Sequence, residues 1–419
     1  LALWEGSRVR SGLRALGVST LASALLLCAA GTAWGEVYTV TRTDDPAPGA
    51  CLPADCSLRE AFAASNASTL VDDEIVLPAS PDPYAVEYES KPLEATDSVE
   101  VNGAGADRAQ VKGNGSNFIL YVTGASPVVV LEGLTITGGK GGIQNNGDLT
   151  LRGVSIEGND RVGGGGGIQS NGPLRIDSSF IGFNNATGAS GGIHSNGAMT
   201  IVNSTIAHNS SESIGGVGGN SEVTISSSAV VFNTSTGTDS SGVGGSPLTV
   251  RDSIFAGNKN SAGVLNCFSF TTFTSLGGNV SDDASCGTGA TDRPNVNPLL
   301  GTLALHGGTT KVYELLTGSL AINAAAQCPA VDQRGVGRPQ SAACDSGPYE
   351  FVPAPLVIPP AVDREFFMKV GKKLRVVRRG VRVRLTCPSS EASPPCRGKV
   401  TLYGLPNPGG RSGVPALRR

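Results

Sequence analysis

Between Ile143 and Gly263 the chain repeats one pattern five times, and this constrains its fold more than any other feature. Units start at Ile143, Ile168, Ile193, Val217 and Val243, with a sixth start read at Val264, so successive starts lie 25, 25, 24, 26 and 21 residues apart. A fixed period of that size means stacked supersecondary units. Within each unit apolar residues alternate with polar ones in short bursts: Leu149 and Leu151, then Val154 and Ile156, in the first, and Leu174 and Ile176, then Ile181, in the second. Period two specifies strands. Asn-Gly pairs at 146–147, 171–172 and 196–197 punctuate the bursts as turns, and no window has the spacing a helical repeat needs. Two or three short strands per ~25-residue unit make one coil of a parallel β-helix, in which coils pair at ~4.8 Å and inward side chains pile into columns.

One column is visible directly. Asn159, Asn184, Asn209, Asn233 and Asn258 are 25, 25, 24 and 25 residues apart, which predicts an amide ladder at one corner, structural rather than ligand-binding, since side-chain amides bond along a stacking axis and suit turns. Gly-Gly pairs at 141–142, 166–167, 191–192 and 215–216 mark a second corner that needs either positive φ or close backbone approach. The 58 glycines, about twice the usual share, fit a turn-dense solenoid; regular aliphatic alternation argues against disorder as their cause. Hydrophobic residues make up 39 % but aromatic ones only 5 %, as a core of small aliphatic columns requires.

The flanks read differently. Residues 1–35 are expected to be a secretory signal: Arg8, Arg10 and Arg14 precede the apolar run Leu16 to Ala30, and Ala33-Trp34-Gly35 is a small-x-small cleavage site. The run is too short for the ~20 residues of a membrane span, so no transmembrane segment is expected in the mature chain. Without Cys28, eight cysteines remain in local pairs, Cys51 with Cys56, Cys267 with Cys286, Cys328 with Cys344 and Cys387 with Cys396. An even count in an exported chain predicts four disulfides; with three histidines and no Cys-x-x-Cys, no metal site or cofactor is expected. Residues 36–100 lack the repeat, and there Ser57 and Glu60 form a capping box for a short helix, Leu58 to Ala64, with Leu58, Ala61 and Phe62 on one face. This helix is expected to cap the raw end of the solenoid. The repeats are assigned to 101–325, a closing cysteine-containing motif to 326–351 and a proline-rich linker to 352–362. Residues 363–419 hold 14 Lys or Arg against 3 Asp or Glu, a net of +11, whereas 36–362 hold 15 against 31. The last segment is read as a small basic β module, its two strands KKLRVVRRGVRVRLTC and CRGKVTLYG joined by Cys387–Cys396, followed by a disordered tail.

The segments CSLREAFAASNAS, VNGAGA, the GGIxSNGxLxIxxSxI repeats, NPLLGTLALHGGTTKVYELLTGSLAINAA and VDQRGVGRPQSAACDSGPYEF carry a resemblance. Over most of 36–351 the chain resembles the exported right-handed parallel β-helix proteins of bacteria, and within this pectin lyase-like superfamily the choice-of-anchor Q, or polymorphic-outer-membrane-protein-like, group. The Leu-Arg-Glu-Ala and Asp-Gln-Arg-Gly segments are its most specific parts. The resemblance implies a secreted or surface-displayed solenoid, most of whose relatives have no assigned activity. Asn297 and Asn323 stand where such proteins often carry Asp, which puts in doubt any family function using those carboxylates.

Parallel β-helices host lyases and hydrolases, but fold does not fix function. A hydrolase needs paired carboxylates on neighbouring coils, and a lyase acidic calcium ligands plus a basic residue. Aligned to the asparagine column, the acids of the repeats fall in different registers: Asp177 shares that of Arg152, Val202, Ser226 and Arg251, and Asp252 that of Gly153, Ser178, Asn203 and Ser227. No acidic or aromatic column is expected, and no catalytic residue is nominated. His194 and His208 are read as turn or surface residues, and the run Gly163–Gly167 lacks the Lys-Ser or Lys-Thr of a phosphate loop. The expectation is an all-β chain: a right-handed, single-stranded parallel β-helix with an N-terminal helical cap and a small C-terminal β module. It is expected to be secreted or on the cell surface, monomeric and without a nucleic-acid partner, and to bind glycans or anionic polymers of the envelope for adhesion without catalysis. The competing expectation is a lyase or hydrolase acting on an acidic polysaccharide.

Overall fold

The computed structural model describes residues 35–68, 73–239 and 241–353, and the backbone of 375–377 and 380–382. The signal-like segment 1–34, Cys387, Cys396 and the tail lie outside the described residues. The chain divides into two units, the first ending at Pro353 in the sequence. The first is a parallel β-solenoid of about eight turns.

The coils contribute strands to four sheets, of ten, eight, nine and six strands among the described residues. The coil at Ile143 supplies Ile143–Asn145, Asp148–Arg152, Ser155–Glu157 and the two-residue strand Asp160–Arg161. Coil pairs with coil in parallel and in register: Ile143 with Ile168, Ile193, Val217 and Val243 in the eight-stranded sheet, and Leu149 with Leu174, Met199, Val223 and Leu248 in the ten-stranded one. In the nine-stranded sheet Ile136, Ile156, Ile181, Ile206, Val230 and Phe255 align. These columns are buried in one continuous core, so the alternation seen in the sequence is the inward face of the coil.

Two details differ from the sequence reading. The sixth unit starts at Cys267, not Val264: Cys267 pairs with Val243, while Gly263 and Val264 turn antiparallel onto Asn260 and Lys259. Val264 is 44 % exposed and Cys267 only 4 %, so a cysteine holds the inward apolar position. The coil also extends beyond the range 101–325 at one end and stops short at the other. Strands Asp73–Leu77, Tyr84–Val86 and Leu93–Ala95 already pair in its sheets, and its last described strand is Val280–Ser281.

The helix Leu58–Ala67 opens with the reciprocal capping box: Glu60 N–H donates to Ser57 Oγ (3.3 Å) and Ser57 N–H to Glu60 Oε2 (2.8 Å). Leu58, Ala61 and Phe62 are buried in the main core, and Leu58 and Phe62 line a void of about 20 Å3 together with Val101, Leu131 and Ile136. The helix therefore covers the open end of the coil. It also occupies a sheet edge, since Asn66 Nδ2 donates to Glu94 O and Asn66 Oδ1 accepts Thr96 N–H, as a further strand would. Arg59 forks onto Asp45 at 2.8 Å through two nitrogens and reaches the carbonyls of Lys91 and Pro92. Burial would raise the Asp45 pKa, but Arg59 and the Tyr88 and Glu87 amides bring it below the ordinary value.

The asparagines at 159, 184, 209, 233 and 258 are buried. In each successive pair the Nδ2 of one donates to the Oδ1 of the next at 2.9–3.0 Å, and the same Oδ1 accepts the preceding asparagine's backbone N–H. Close approach explains the glycine corner from Gly166 on. A Cβ on Gly166 would sit 2.4 Å from Asn185 O and 2.5 Å from Gly191 O, and Gly191 and Gly215 are equally tight. Disulfides join Cys51 to Cys56, Cys267 to Cys286 and Cys328 to Cys344.

In the second unit Arg375–Val377 pairs antiparallel with Gly380–Arg382. This pairing lies inside the first basic segment rather than between the two. Val377 pairs with Gly380.

Candidate functional site

The outer face of the nine-stranded sheet changes character along the coil axis. One outward column runs Gln110, Thr135, Ser155, Phe180, Thr205, Ala229, Ile254. The next outward column runs Lys112, Thr137, Glu157, Gly182, Ala207, Val231, Ala256 by the same pairings. The first three coils are polar and the later ones largely apolar, yet Phe180, Ala207, Ala229, Val231 and Ile254 are each at most 1 % exposed.

The cover is the chain from Pro298 to Phe351, called the strap here. Its hairpin, Leu300–Ala304 with Val312–Leu315, and its Tyr313, Leu315 and Ala321 form a second hydrophobic cluster with those outward residues. Polar latches surround this cluster. Thr205 Oγ1 donates to Gln333 Oε1 (2.7 Å), while Gln333 Nε2 donates to Thr310 Oγ1 and Lys311 O (both 2.9 Å). Asp252, fully buried, accepts Ala326 N–H (2.8 Å) and Gln327 N–H (3.3 Å). Its burial raises the carboxyl pKa, against the pull of those amides. Asp252 sits in the column of Gly153, Ser178, Asn203 and Ser227, all with φ between 47° and 57°. That left-handed corner favours Gly, Asn and Asp.

The Asp-Gln-Arg-Gly segment holds the strap together. Asp332 accepts the amides of Arg334, Val336 and Glu350 and the guanidinium of Arg334, and Arg338 lies 3.8 Å from Glu350, both fully buried. The two asparagines standing for Asp also serve local structure: Asn297 Oδ1 accepts Leu299 N–H, and Asn323 Oδ1 accepts Ala343 N–H.

Where the strap's edge meets the polar coils, a pocket of about 300 Å3 opens. It is lined by Gln110, Thr135 and Ser155 of the coil, by Pro81 and Pro83, and by Leu305 and Thr309 of the strap. Its four charges stand in two pairs. Lys311 Nζ is 2.5 Å from Glu157 Oε2, and Arg108 Nε is 3.8 Å from Asp107 Oδ1. Thr135 Oγ1 donates to Ala106 O (2.6 Å).

Beside the pocket lies an aromatic column, contrary to expectation. Phe183, His208 and Phe232 occupy one left-handed corner, at φ 57°, 57° and 56°. Phe183 stacks on His208 at 5.0 Å and 5°, and His208 on Phe232 at 5.7 Å and 14°. Lys311 Nζ, held by Glu157 one coil earlier, sits 5.6 Å from the Phe183 ring centre. His208 Nε2 is 2.5 Å from Tyr313 Oη; burial lowers the His208 pKa and pushes Tyr313 up to about 12. The signal was present in the sequence, because each of these three residues immediately precedes a ladder asparagine.

His194 is not a turn residue. It lies on the strand Ile193–Ser195, half-buried, with its pKa lowered by burial and then by Arg161. Exposed amides form another column: Asn171, Asn196 and Asn220 each donate through Nδ2 to the Oδ1 of the asparagine one coil before, the first acceptor being Asn146, at 2.7–2.8 Å. Among the described residues no group of three or more His, Cys, Asp or Glu side chains is placed to hold a metal ion, and no helix is long and apolar enough to cross a membrane. Neither a protein-family model nor a curated protein matches the chain.

Proposed function

We propose that this protein is an exported or cell-surface β-helix that binds glycans on its rigid flank and does not cleave them. The observation that carries the reading is the pocket at the strap's edge, which is lined by hydroxyl, amide, paired charged and apolar groups together. Sugars present C–H faces and hydroxyls together, and such a surface meets both. The exposed asparagine column extends hydrogen-bonding capacity over four successive coils. Of the pocket's two carboxylates, Glu157 is engaged by Lys311 and Asp107 lies beside Arg108, so each is paired with a cation.

Membership in the choice-of-anchor Q group belongs to this proposal, supported by the anchoring roles of Arg59 and Glu60 in one motif and Asp332 and Arg334 in the other. The basic segment 363–419 is proposed as a second contact, for anionic polymers of the envelope, on its net charge of +11.

The test is incubation of the purified protein with a panel of neutral and acidic polysaccharides, following both retention and release of reducing ends or unsaturated products. Retention without product is expected. Product release that disappears in Glu157→Gln or Asp107→Asn would replace the binding reading with a hydrolase or lyase.

A further inference from the structure

This inference rests on the glycan-binding reading and narrows it. From the balance of charge in the pocket we infer that its ligand is an uncharged saccharide of one or two sugar units, and that the strap completes the site. The volume of about 300 Å3 lies at the lower end of the ~300–1,000 Å3 found for small-molecule sites, which suits a chain end or short branch rather than a long segment. Both cations already have a carboxylate partner, Lys311 with Glu157 and Arg108 with Asp107. A uronic acid or phosphate entering here would compete with those carboxylates for the cations and meet their negative charge at close range. An amino sugar would meet the two cations in the same way. A neutral sugar avoids both penalties and gains charge-assisted hydrogen bonds from its hydroxyls.

The apolar lining agrees with this. Pro81, Pro83 and Leu305 offer apolar surface to the C–H faces of a ring. Gln110 and Thr309, both exposed, offer an amide and a hydroxyl between them. Three lining residues, Leu305, Thr309 and Lys311, belong to the strap. With the strap lifted, these three lining residues and one charge pair would be lost. Ser155 marks the boundary: the next coil places Phe180 at the same register, so a phenylalanine at 155 would continue the apolar column into the pocket.

The experiment is titration of the full chain with neutral gluco-, manno- and xylo-oligosaccharides and with uronic-acid oligosaccharides, by calorimetry and saturation-transfer NMR, at low and high salt. The expected result is binding of a neutral oligosaccharide that does not weaken with salt, because no net charge is matched. Gln110→Ala is expected to weaken it about tenfold (~1.4 kcal/mol), Ser155→Phe to abolish it, and Asp148→Asn on the ten-stranded sheet to leave it unchanged. Thermal melting of each variant checks the fold; should Ser155→Phe not fold, Thr309→Ala on the exposed strap takes its place, again with about tenfold weakening expected. Binding confined to uronic-acid oligosaccharides and lost in salt overturns the inference while leaving glycan binding standing. Neutral binding indifferent to the pocket variants overturns the site. If no saccharide binds, the parent reading falls and this one with it.

Discussion

The two halves of the nine-stranded sheet's outer face have the same backbone and the same inward column, yet opposite surroundings. Around Gln110, Thr135 and Ser155 the outward side chains are polar and line the pocket. Around Phe180, Ala207, Val231 and Ile254 they are apolar and the strap buries them. A coil's inward face fixes the solenoid; its outward face decides what lies against it, because apolar surface left in water forgoes ~25 cal/mol per Å2. The site exists because the change occurs within the sheet, giving the strap an edge.

The comparison is broken most strongly at Phe180. Phe180→Ala empties a side chain that is fully buried on the outside of the coil, and is expected to cost ~3–5 kcal/mol in denaturant unfolding. Ser155→Ala, one coil earlier in the same register, should stay within ~1 kcal/mol. Equal effects would mean that the strap does not cover the apolar half.

The asparagine columns sharpen the same contrast between buried and open positions. Asn209→Ala removes the acceptor of both Asn184 N–H and Asn184 Nδ2, leaving buried donors unpaired at ~2–3 kcal/mol. Asn196→Ala, in the exposed column, should cost no more than ~0.5 kcal/mol.

Acid is the next probe. Burial depresses the His208 pKa below the ordinary 6.5, so its contribution to stability is present above that value and lost as pH falls through the depressed folded value. Asp252 and Asp345, raised by burial, act in the opposite sense: the native state is relieved as they take up protons. Substituting His208→Phe isolates the first effect. The stability difference between wild type and variant should shift in the variant's favour from neutral to mildly acidic pH, and a difference independent of pH would contradict the burial of His208 beneath Tyr313. Lys311→Ala is a further small effect. Its ion pair is partly exposed, so the expected loss is under ~1 kcal/mol.

The coil was legible because its signal is local and periodic: Leu149, Ile156, Ile181 and Ile206 recur where an inward column needs them. The helix was legible from Ser57 and Glu60, although it runs to Ala67 rather than Ala64. The strap was not legible, because its contacts join residues far apart in the chain, Thr205 with Gln333 and Glu157 with Lys311, and no period links them. One trace of it did exist. Phe180-Ile181, Val230-Val231 and Ile254-Phe255 interrupt the alternation with consecutive apolar residues, the mark of strands buried on both faces. The aromatic column escaped for a different reason: at Gly158 and Gly257 its register holds glycine, so the residues between look like substitutions in a turn.

The most direct test of the central claim is hydrogen exchange followed by mass spectrometry on the wild type and on Phe180→Asp, which places a charge under the strap. The account predicts protected amides in the wild type both in the coil strands and in the strap hairpin Leu300–Leu315. In Phe180→Asp, protection should be lost over 298–351 and kept in the strands from Ile143 to Asn145 and from Leu149 to Leu151. Unprotected strap amides in the wild type, or a strap that stays protected over Asp at 180, would contradict it.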